Sequence, residues 1–370
     1  MDNTSENNSV RKQILDLSKH GHQLLKSRQY AEAGQVFKKA LLLAPSDLYL
    51  MTGMADSLRQ QKDFSAASGY YRQVLEIDPY NPFALRGLGD ALRGLKQYGE
   101  AIEFWKKYLH QKSSKDFFVL TRIADCYKTL GKYDDSKSYY KKALALEPND
   151  RYSLMGLADL YHKQGRELQA IEYYEKALAN GVTLINILTI VGNLHYRHGN
   201  YERARIYYEK TLIQDPENSF ALYGLGSYYR WKNDYRRAVE YWEKILEKNA
   251  GTVNLLTRLG DAYRNLGHYE AAERAYKNNL DKAYDMYTLV GMIKLLSLQG
   301  RLQEACDCYD ELIRNEGEDK KFFAEVEELL IQRNEHSLAL QFLRHARQRQ
   351  HEHPAASLII EAHIREREVS

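Results

Sequence analysis

A single pattern of small, aromatic and apolar positions recurs along most of this chain. In each copy a small residue is followed four positions later by an aromatic residue and, in most copies, seven positions later by another small or apolar residue, as in Ala33, Phe37 and Ala40. The copies recur about every 34 residues, which is the distance from Pro45 to Pro79. Nine copies are present, and they start at Ala33, Ala67, Ala101, Ser136, Ala170, Ala204, Ala238, Ala272 and Ala305.

Each copy is predicted to be a pair of helices. Spacings of four and seven place the pattern on one stripe of a helix, and a second stripe lies upstream, as in Leu85, Leu88 and Leu92. Pro near an Asp or Asn, as in residues 78 to 81, ends the second helix and caps the next one. The turn inside each pair needs a left-handed residue, which Gly or Asn supplies readily. These turn residues are Gly131, Gly165, Gly199, Asn233, Gly267 and Gly300.

This arrangement resembles the tetratricopeptide repeat family, whose 34-residue helix-turn-helix unit has the same small, aromatic, small and Pro signature. The resemblance implies an all-α, right-handed superhelical solenoid of about nine to ten repeats with a C-terminal capping helix. We expect a disordered polar tail at residues 1–12, nine repeats over 13–316, a degenerate tenth repeat over 317–350 and the capping helix over 354–367. No Trp begins the first helix of any copy, and the terminal Pro is missing from several copies.

The chain lacks the motifs that most enzymes need. There is no Gly-rich phosphate loop, no Gly-x-Ser-x-Gly elbow and no His-Glu-x-x-His segment. His351 and His353 form an isolated pair in a basic segment, which is usually solvated, and Cys306 and Cys308 point away from each other on a predicted helix. We therefore expect no enzymatic activity, no cofactor and no metal site.

Charge and hydropathy narrow the range of partners. The net charge of +3 is too small to imply nucleic-acid binding, and Asp residues on the free face would repel phosphate. The sequence contains no secretory signal, transmembrane run or lipidation motif, so we expect a cytoplasmic protein that does not bind membranes.

The informative face of each first helix is the one that packing leaves free. The family resemblance implies that this face lines the concave surface of the superhelix, where extended peptides usually bind. Aromatic, acidic or amide, and basic side chains follow one another along it. We predict that a peptide contacts Tyr49, Phe83, Phe118 and Tyr152, then Asp56, Asp90, Asp125, Asp159 and Asn193, and Arg59, Arg86, Arg93, Arg122 and Lys128. Further along, Ser227 replaces an Asp and Asn254 replaces an aromatic residue.

Glycine recurs at the sixth position of several first helices, where it costs about 1 kcal/mol relative to Ala. Two explanations are open. In the first, the preceding aromatic ring or a neighbouring helix covers the missing side chain. In the second, which is compatible with the first, the glycines form shallow sites for a ligand backbone. These glycines are Gly53, Gly87, Gly156, Gly224 and Gly291.

The charged residues also allow two interpretations. Asp and Arg or Lys three positions apart stabilise a helix by about 0.2–0.5 kcal/mol, and that stabilisation can be their whole role. The pairs are Asp56 with Arg59, Asp90 with Arg93, Asp125 with Lys128 and Asp261 with Arg264. Their restriction to one face also suits a groove that binds peptide amides and charged side chains. The terminal-carboxylate clamp of some family members is not reproduced, because its places hold Thr52, Asp56, Gly87, Phe118 and Arg122.

The sequence thus predicts a non-catalytic scaffold or adaptor that binds an extended protein segment in its concave groove. One alternative is a structural assembly subunit of an enzyme or secretion complex, in which the charge pairs are only structural. An RNA-binding helical repeat array is less favoured. The pattern identifies neither the partner nor the oligomeric state.

Overall fold

A computed structural model describes residues 3–111, 115–247, 253–316 and 365, and every regular element within residues 3–316 of this set is an α-helix. The helices are α1 (Asn3–Lys26), α2 (Tyr30–Leu43), α3 (Leu48–Gln60), α4 (Phe64–Ile77), α5 (Pro82–Gly94), α6 (Tyr98–Gln111), α7 (Phe117–Thr129), α8 (Tyr133–Leu146), α9 (Arg151–Lys163), α10 (Glu167–Ala179), α11 (Ile185–Arg197), α12 (Tyr201–Gln214), α13 (Ser219–Trp231), α14 (Tyr235–Leu246), α15 (Val253–Asn265), α16 (Tyr269–Leu280), α17 (Met286–Leu298) and α18 (Leu302–Glu316). None of the helices so described has the length and apolar character that crossing a lipid bilayer requires.

Two compact units divide the chain. Unit 1 spans residues 1–183 and unit 2 spans residues 184–370. Within each unit consecutive helices pair, from α1 with α2 to α9 with α10 in unit 1, and from α11 with α12 to α17 with α18 in unit 2. The odd-numbered helix of each pair is called its first helix below.

The chain reverses direction inside each pair through one left-handed residue, as predicted. Asn233 has φ 59°. The φ angle lies between 70° and 76° at the five glycines, which are Gly131, Gly165, Gly199, Gly267 and Gly300. Three earlier turns use long side chains instead, with φ 64° at Arg28, 65° at Lys62 and 61° at Lys96. The reversal therefore depends on the helix pairing and does not require glycine.

The predicted small and aromatic stripe forms the core of the pairs. Ala101 and Trp105 are completely buried, and Tyr108 is nearly so. The central aromatic residue is buried in all nine copies, namely Phe37, Tyr71, Trp105, Tyr140, Tyr174, Tyr208, Trp242, Tyr276 and Tyr309. The ring also packs against the first helix of the next pair. Its burial therefore depends on the neighbouring pair.

The recurring glycines are contact points for these buried rings. A Cβ atom at Gly53 would lie 2.5 Å from Phe37 Cζ, and one at Gly87 would lie 2.3 Å from Tyr71 Cζ. Some rings lie between two glycines, since Tyr208 meets both Gly192 and Gly224. The interpretation of the glycines as ligand sites is therefore wrong. The covering ring comes from the preceding second helix and not from the aromatic residue four positions earlier in the same helix.

The N-terminal segment differs from the sequence prediction. Residues 3–12, expected to be part of a disordered tail, belong to α1. The helix continues into Ile14, Leu17 and Leu24, which pack against Phe37 and its neighbours. The predicted tenth repeat, the capping helix apart from Arg365, and the His351 and His353 pair lie outside the described residues.

Candidate functional site

A row of exposed aromatic rings follows the first helices of unit 1. Each ring belongs to the second residue of its helix, and this position points away from the paired second helix. The exposed fractions are 62% for Tyr49, 72% for Phe83, 52% for Phe118 and 60% for Tyr152. We call these four residues the aromatic row. Large apolar rings exposed to this extent on consecutive elements are typical of contact surfaces.

Neighbouring side chains hold most of the rings in place. The Tyr49 ring stacks on His22 with 4.3 Å between ring centroids. Phe118 lies 4.0 Å from the centroid of Phe117. The guanidinium of Arg151 stands 5.2 Å above the centroid of Tyr152.

The acidic positions behind this row are mostly used by the protein itself. In unit 1 the central tyrosines of three pairs extend their hydroxyls to the carboxylate fifteen residues earlier. Tyr71 Oη donates to Asp56 Oδ1 at 2.7 Å, and Tyr174 Oη donates to Asp159 Oδ1 at 2.7 Å. Tyr140 donates to Asp125 in the same way, and burial raises the pKa of both groups. These carboxylates therefore complete the core, which is a role that the sequence analysis did not foresee.

Asp90 is the exception, because the corresponding core residue is Trp105. Its indole Nε1 donates to the main-chain oxygen of Arg86 at 3.3 Å and offers no hydroxyl to Asp90. Two arginines from the neighbouring first helices pair with Asp90 instead. Arg122 Nη1 donates to Asp90 Oδ1 at 2.6 Å, and Arg59 Nη1 lies 3.5 Å from Asp90 Oδ2.

Only one of the three predicted ion pairs of unit 1 forms within its own helix. Arg59 Nη2 lies 3.0 Å from Asp56 Oδ1. Within the described ranges no ion pair joins Asp90 to Arg93 or Asp125 to Lys128, so these two predictions were wrong. Lys128 instead reaches the next first helix, where its Nζ lies 3.5 Å from Asp159 Oδ2. The charges join successive repeats more than they stabilise single helices.

Arginines gather around Asp90 at the centre of unit 1. Burial lowers the pKa of Arg122, and the positive charges of Arg93, Arg86 and Arg59 lower it further, while Asp90 opposes the shift. Arg86 Nη1 is 3.6 Å from Asp116 Oδ2. Arg93 is exposed and has no ion-pair partner among the residues that the structure describes. Free guanidinium donors beside exposed rings suit the recognition of backbone carbonyls and acidic groups.

Asn193 belongs to unit 2 and is described separately from the other predicted site residues. Its side-chain oxygen accepts a hydrogen bond from Tyr208 Oη at 2.8 Å. It therefore repeats the contact between Tyr140 and Asp125 with a neutral acceptor.

A pocket of about 300 Å³ in unit 2 was not predicted from the sequence. We call it the arginine pocket, and its lining residues are Arg230, Asn254, Thr257, Arg258, Asp261, Asp285 and Tyr287. A sequence signal does exist in retrospect. Arg258 is the sixth residue of its helix, the position that holds Gly in five other copies. Arg122 occupies the same helix position. Both arginines follow a copy whose central aromatic residue is Trp, namely Trp105 before Arg122 and Trp242 before Arg258.

Family models for one kind of repeat match this chain. Models described as tetratricopeptide repeat match residues 18–82, 52–116, 116–181, 192–252 and 223–278, which together make up more than half of the chain. No curated protein matches.

Several solved structures resemble this chain at low sequence identity. PilF of Pseudomonas aeruginosa is 20% identical with a TM-score of 0.50, covering 61% of this chain and 99% of its own. A tetratricopeptide repeat protein from Parabacteroides merdae is 20% identical with a TM-score of 0.47, covering 66% of this chain and 97% of its own. YrrB, described as a TPR protein with an unusual peptide-binding site, is 17% identical with a TM-score of 0.46, covering 50% of this chain and 95% of its own. At this identity, the likeness to PilF shows the fold alone.

Proposed function

The chain belongs to the tetratricopeptide repeat family, and from that premise we propose that it is a non-catalytic scaffold that binds an extended segment of a partner protein along the first helices of unit 1. The observation that carries the proposal is the aromatic row. Its four rings are more than half exposed on four consecutive first helices, whereas the central aromatic residue of each helix pair is buried. An extended segment can place apolar side chains against several of these rings at once.

The arginines beside the row supply the polar part of the interface. Arg86, Arg93 and Arg122 belong to the same first helices as Phe83 and Phe118. Their guanidinium groups donate several hydrogen bonds in fixed directions, which suits the carbonyls and carboxylates of a bound segment. Asp56, Asp125 and Asp159 contribute less to binding, because tyrosine hydroxyls already occupy them.

Replacing Phe83 and Phe118 together with Ala tests the proposal. Buried aromatic anchors often cost 2 kcal/mol or more on truncation, so we expect partner affinity to fall roughly 30-fold or more. The matched control is Leu42→Ala with Ile77→Ala, which removes exposed apolar side chains from the second helices α2 and α4. Both variants should keep the circular dichroism of the parent, because neither changes the core.

Binding is measured by quantitative mass spectrometry of proteins captured from native lysate on the parent and both double variants. A photoreactive phenylalanine analogue in place of Phe83 then marks the captured segment by cross-linking. The proposal predicts that cross-links fall within one continuous stretch of the partner and that the control retains it. A folded Phe83 and Phe118 variant that retains every partner of the parent would contradict it.

A further inference from the structure

A cleft of about 420 Å³ lies between two consecutive second helices of unit 1, α6 and α8. We call it the second-helix cleft, and its apolar lining consists of Leu109, Leu120, Tyr139, Ala145 and Leu146. Leu109 and Leu120 are 5% and 3% exposed, so they form its base, whereas Leu146 is 44% exposed at its rim. The aromatic row belongs to the first helices, and the cleft is therefore a separate surface.

The sequence explains why space opens at this junction. The copy that starts at Ala101 is followed after 35 residues by the copy at Ser136, whereas the copies on both sides of this junction are 34 residues apart. Tyr108 also occupies the place that holds Ala40 and Ala143 in other copies. It is buried, and its hydroxyl donates to Asp116 Oδ2 at 2.9 Å at the start of α7. Because the distance between packed helices depends on the side chains between them, a longer connection and a larger residue account for the cleft.

The rim of the cleft is basic. The C-terminal halves of α6 and α8, residues 106–111 and 141–146, contain no Asp or Glu and four lysines, which are Lys106, Lys107, Lys141 and Lys142. Glu103 Oε1 lies 3.2 Å from Lys106 Nζ, but within the described residues of unit 1 no carboxylate forms an ion pair with the other three. Cations suit helix C-termini in general. The corresponding segment of α10 nevertheless includes Glu175, so this excess of positive charge is particular to the cleft.

A lysine stands on each side of the cleft, held over an aromatic ring. Lys142 Nζ of α8 is 4.6 Å from the centroid of Tyr139, and Lys106 Nζ of α6 is 5.7 Å from the centroid of Tyr127. The methylene stems of such lysines add apolar surface, while their ammonium groups stay at the water-exposed edge. The cleft therefore combines an apolar base with a positive charge on both flanks.

We propose that the second-helix cleft binds an acidic amphipathic helix of a partner protein, which inserts apolar side chains between α6 and α8 and places carboxylates along both flanks. The main-chain groups of α6 and α8 are already paired within their own helices, so an extended segment would find no main-chain partners here. A helix satisfies its own main chain and presents only side chains to a groove. The unpaired lysines select acidic flanks, because complementary charge sets the choice of partner.

The recessed base distinguishes a protein partner from a lipid surface. Binding to a bilayer interface requires apolar side chains that protrude from the protein. Leu109 and Leu120 are instead nearly buried, and only a side chain that enters from outside can contact them. The cleft is thus suited to receive apolar groups and not to supply them.

The test is a titration of the full chain with methyl-labelled leucine, observing the signals of Leu109, Leu120 and Leu146. The probe is the peptide acetyl-Ala-Glu-Leu-Glu-Glu-Leu-Leu-Glu-Glu-Leu-Ala-amide, held helical by a hydrocarbon staple on its polar face. One comparison peptide has Lys in place of each Glu, and another has Ala in place of each Leu. Vesicles of phosphatidylglycerol test the lipid alternative. We expect saturable shifts with the first peptide and at least roughly tenfold weaker binding of the other two.

Ala145→Phe should weaken binding of the first peptide by about tenfold or more, because the larger side chain fills the cleft. Its matched control is Ala179→Phe, at the corresponding exposed position of α10, which should leave the affinity unchanged. Lys142→Gln tests the flank without changing the base, and we expect a loss of roughly threefold. Lys176→Gln is the control at the same position of α10.

Three results would overturn the proposal. They are equal binding of the acidic and basic peptides, unchanged affinity in a folded Ala145→Phe variant, and shifts of the same leucine signals with vesicles but not with the acidic peptide. The Phe83 and Phe118 double variant should bind the acidic peptide like the parent. Failure of the second-helix cleft is therefore distinct from failure of the aromatic row.

Discussion

The hydroxyl group of Tyr140 enters the interior with its ring, and the carboxylate of Asp125 is its acceptor. Burial raises the pKa of Asp125, which means that the ionised carboxylate is less stable there than in the unfolded chain. A folded pKa above the unfolded one favours folding below the unfolded value and costs stability as the pH rises through the folded value. At neutral pH the position therefore needs a hydrogen-bond acceptor more than it needs a charge.

Asp125→Asn and Asp125→Ala should therefore have different effects at pH 7. Asn keeps the acceptor without the charge, as Asn193 does for Tyr208 at 2.8 Å, so we expect stability equal to or above that of the parent. Ala leaves the Tyr140 hydroxyl without its acceptor and should lower the free energy of unfolding by about 1–3 kcal/mol. Urea denaturation measures both, with Glu76→Ala as an exposed control within about 0.5 kcal/mol of the parent. Equal losses in the Asn and Ala variants would contradict this account.

Glycine substitutions provide a second test at the residue scale. A Cβ at Gly156 would lie 2.3 Å from Tyr140 Cζ, and this ring cannot retreat from the core, so Gly156→Ala should cost about 1–3 kcal/mol. Gly69 is an exposed residue inside α4 with no atom within 4 Å of such a Cβ. Gly69→Ala should stabilise the protein by up to about 1 kcal/mol through helix propensity. Thermal or urea unfolding that ranks the two variants in the opposite order would show that the glycine contacts are misassigned.

At the scale of the element, the turn inside each helix pair determines how the pair closes. The turn residue is left-handed even where it is Lys62 or Lys96, with φ of 65° and 61°. A side chain in this conformation costs roughly 1–2 kcal/mol, and glycine avoids that cost at some loss of unfolded-state entropy. The early pairs therefore keep a local strain that later pairs, which use Gly131 or Gly165, avoid.

Lys62→Gly and Lys96→Gly should each raise the free energy of unfolding by roughly 0.5–1 kcal/mol, because the balance of the two costs favours glycine. Lys38→Gly is the matched control, since it makes the same exchange at an exposed site inside α2 and should cost about 1 kcal/mol. Denaturant unfolding of the three variants gives the comparison. A loss at Lys62 as large as the loss at Lys38 would mean that its backbone conformation is not the source of strain.

Sequence periodicity predicts elements better than it predicts contacts between them. Spacings of four and seven placed Ala101 and Trp105 in the core and left Phe83 and Phe118 exposed, as the structure has them. The same spacing suggested that Asp125 faces Lys128, because positions three apart are neighbours on one helix. The actual partner, Tyr140, lies on the other helix of the pair. A one-dimensional pattern reports which face is buried, but the atom that a hydroxyl reaches depends on how two helices cross.

The N-terminal helix α1 shows another limit of prediction from the sequence. Composition favoured a disordered start because residues 1–12 are mostly polar, yet the helix begins at Asn3. Helix formation is cooperative, so turns packed through Ile14 and Leu17 can extend into neighbouring polar turns at small cost. Boundaries that rest on polarity alone are accordingly less predictable than those marked by Gly or Pro.

At the scale of the whole molecule, both units use the same pairing of a buried tyrosine with a carboxylate. The pairs are Tyr71 with Asp56, Tyr140 with Asp125, Tyr174 with Asp159 and Tyr276 with Asp261. Burial, together with the adjacent carboxylate, raises the pKa of each of these tyrosines above the usual value near 10. Ionisation of these four tyrosines therefore makes the stability of several repeats depend on pH.

The sign of that dependence follows from the raised pKa values. Because the folded pKa of each tyrosine lies above its unfolded value, the stabilisation is complete below pH 10 and is lost as the pH rises from 10 towards the folded pKa. Each group then contributes a slope of about −1.4 kcal/mol per pH unit to the free energy of unfolding. We expect the protein to unfold at much lower urea concentration at pH 11 than at pH 8, with tyrosinate absorbance rising together with unfolding.

Tyr140→Phe isolates one of the pairs and separates this effect from the titration of lysines, which both proteins share. The variant lacks one ionising hydroxyl, so its stability should fall less steeply with pH, and its deficit relative to the parent at pH 8 should shrink by about 1.4 kcal/mol for each unit above pH 10. Urea denaturation of parent and variant at pH 8, 10.5 and 11 measures that difference directly. Parallel stability curves for the two proteins across this range would mean that the Tyr140 hydroxyl titrates alike in the folded and unfolded chain, and the buried pair would then have no part in the alkaline limit of the fold.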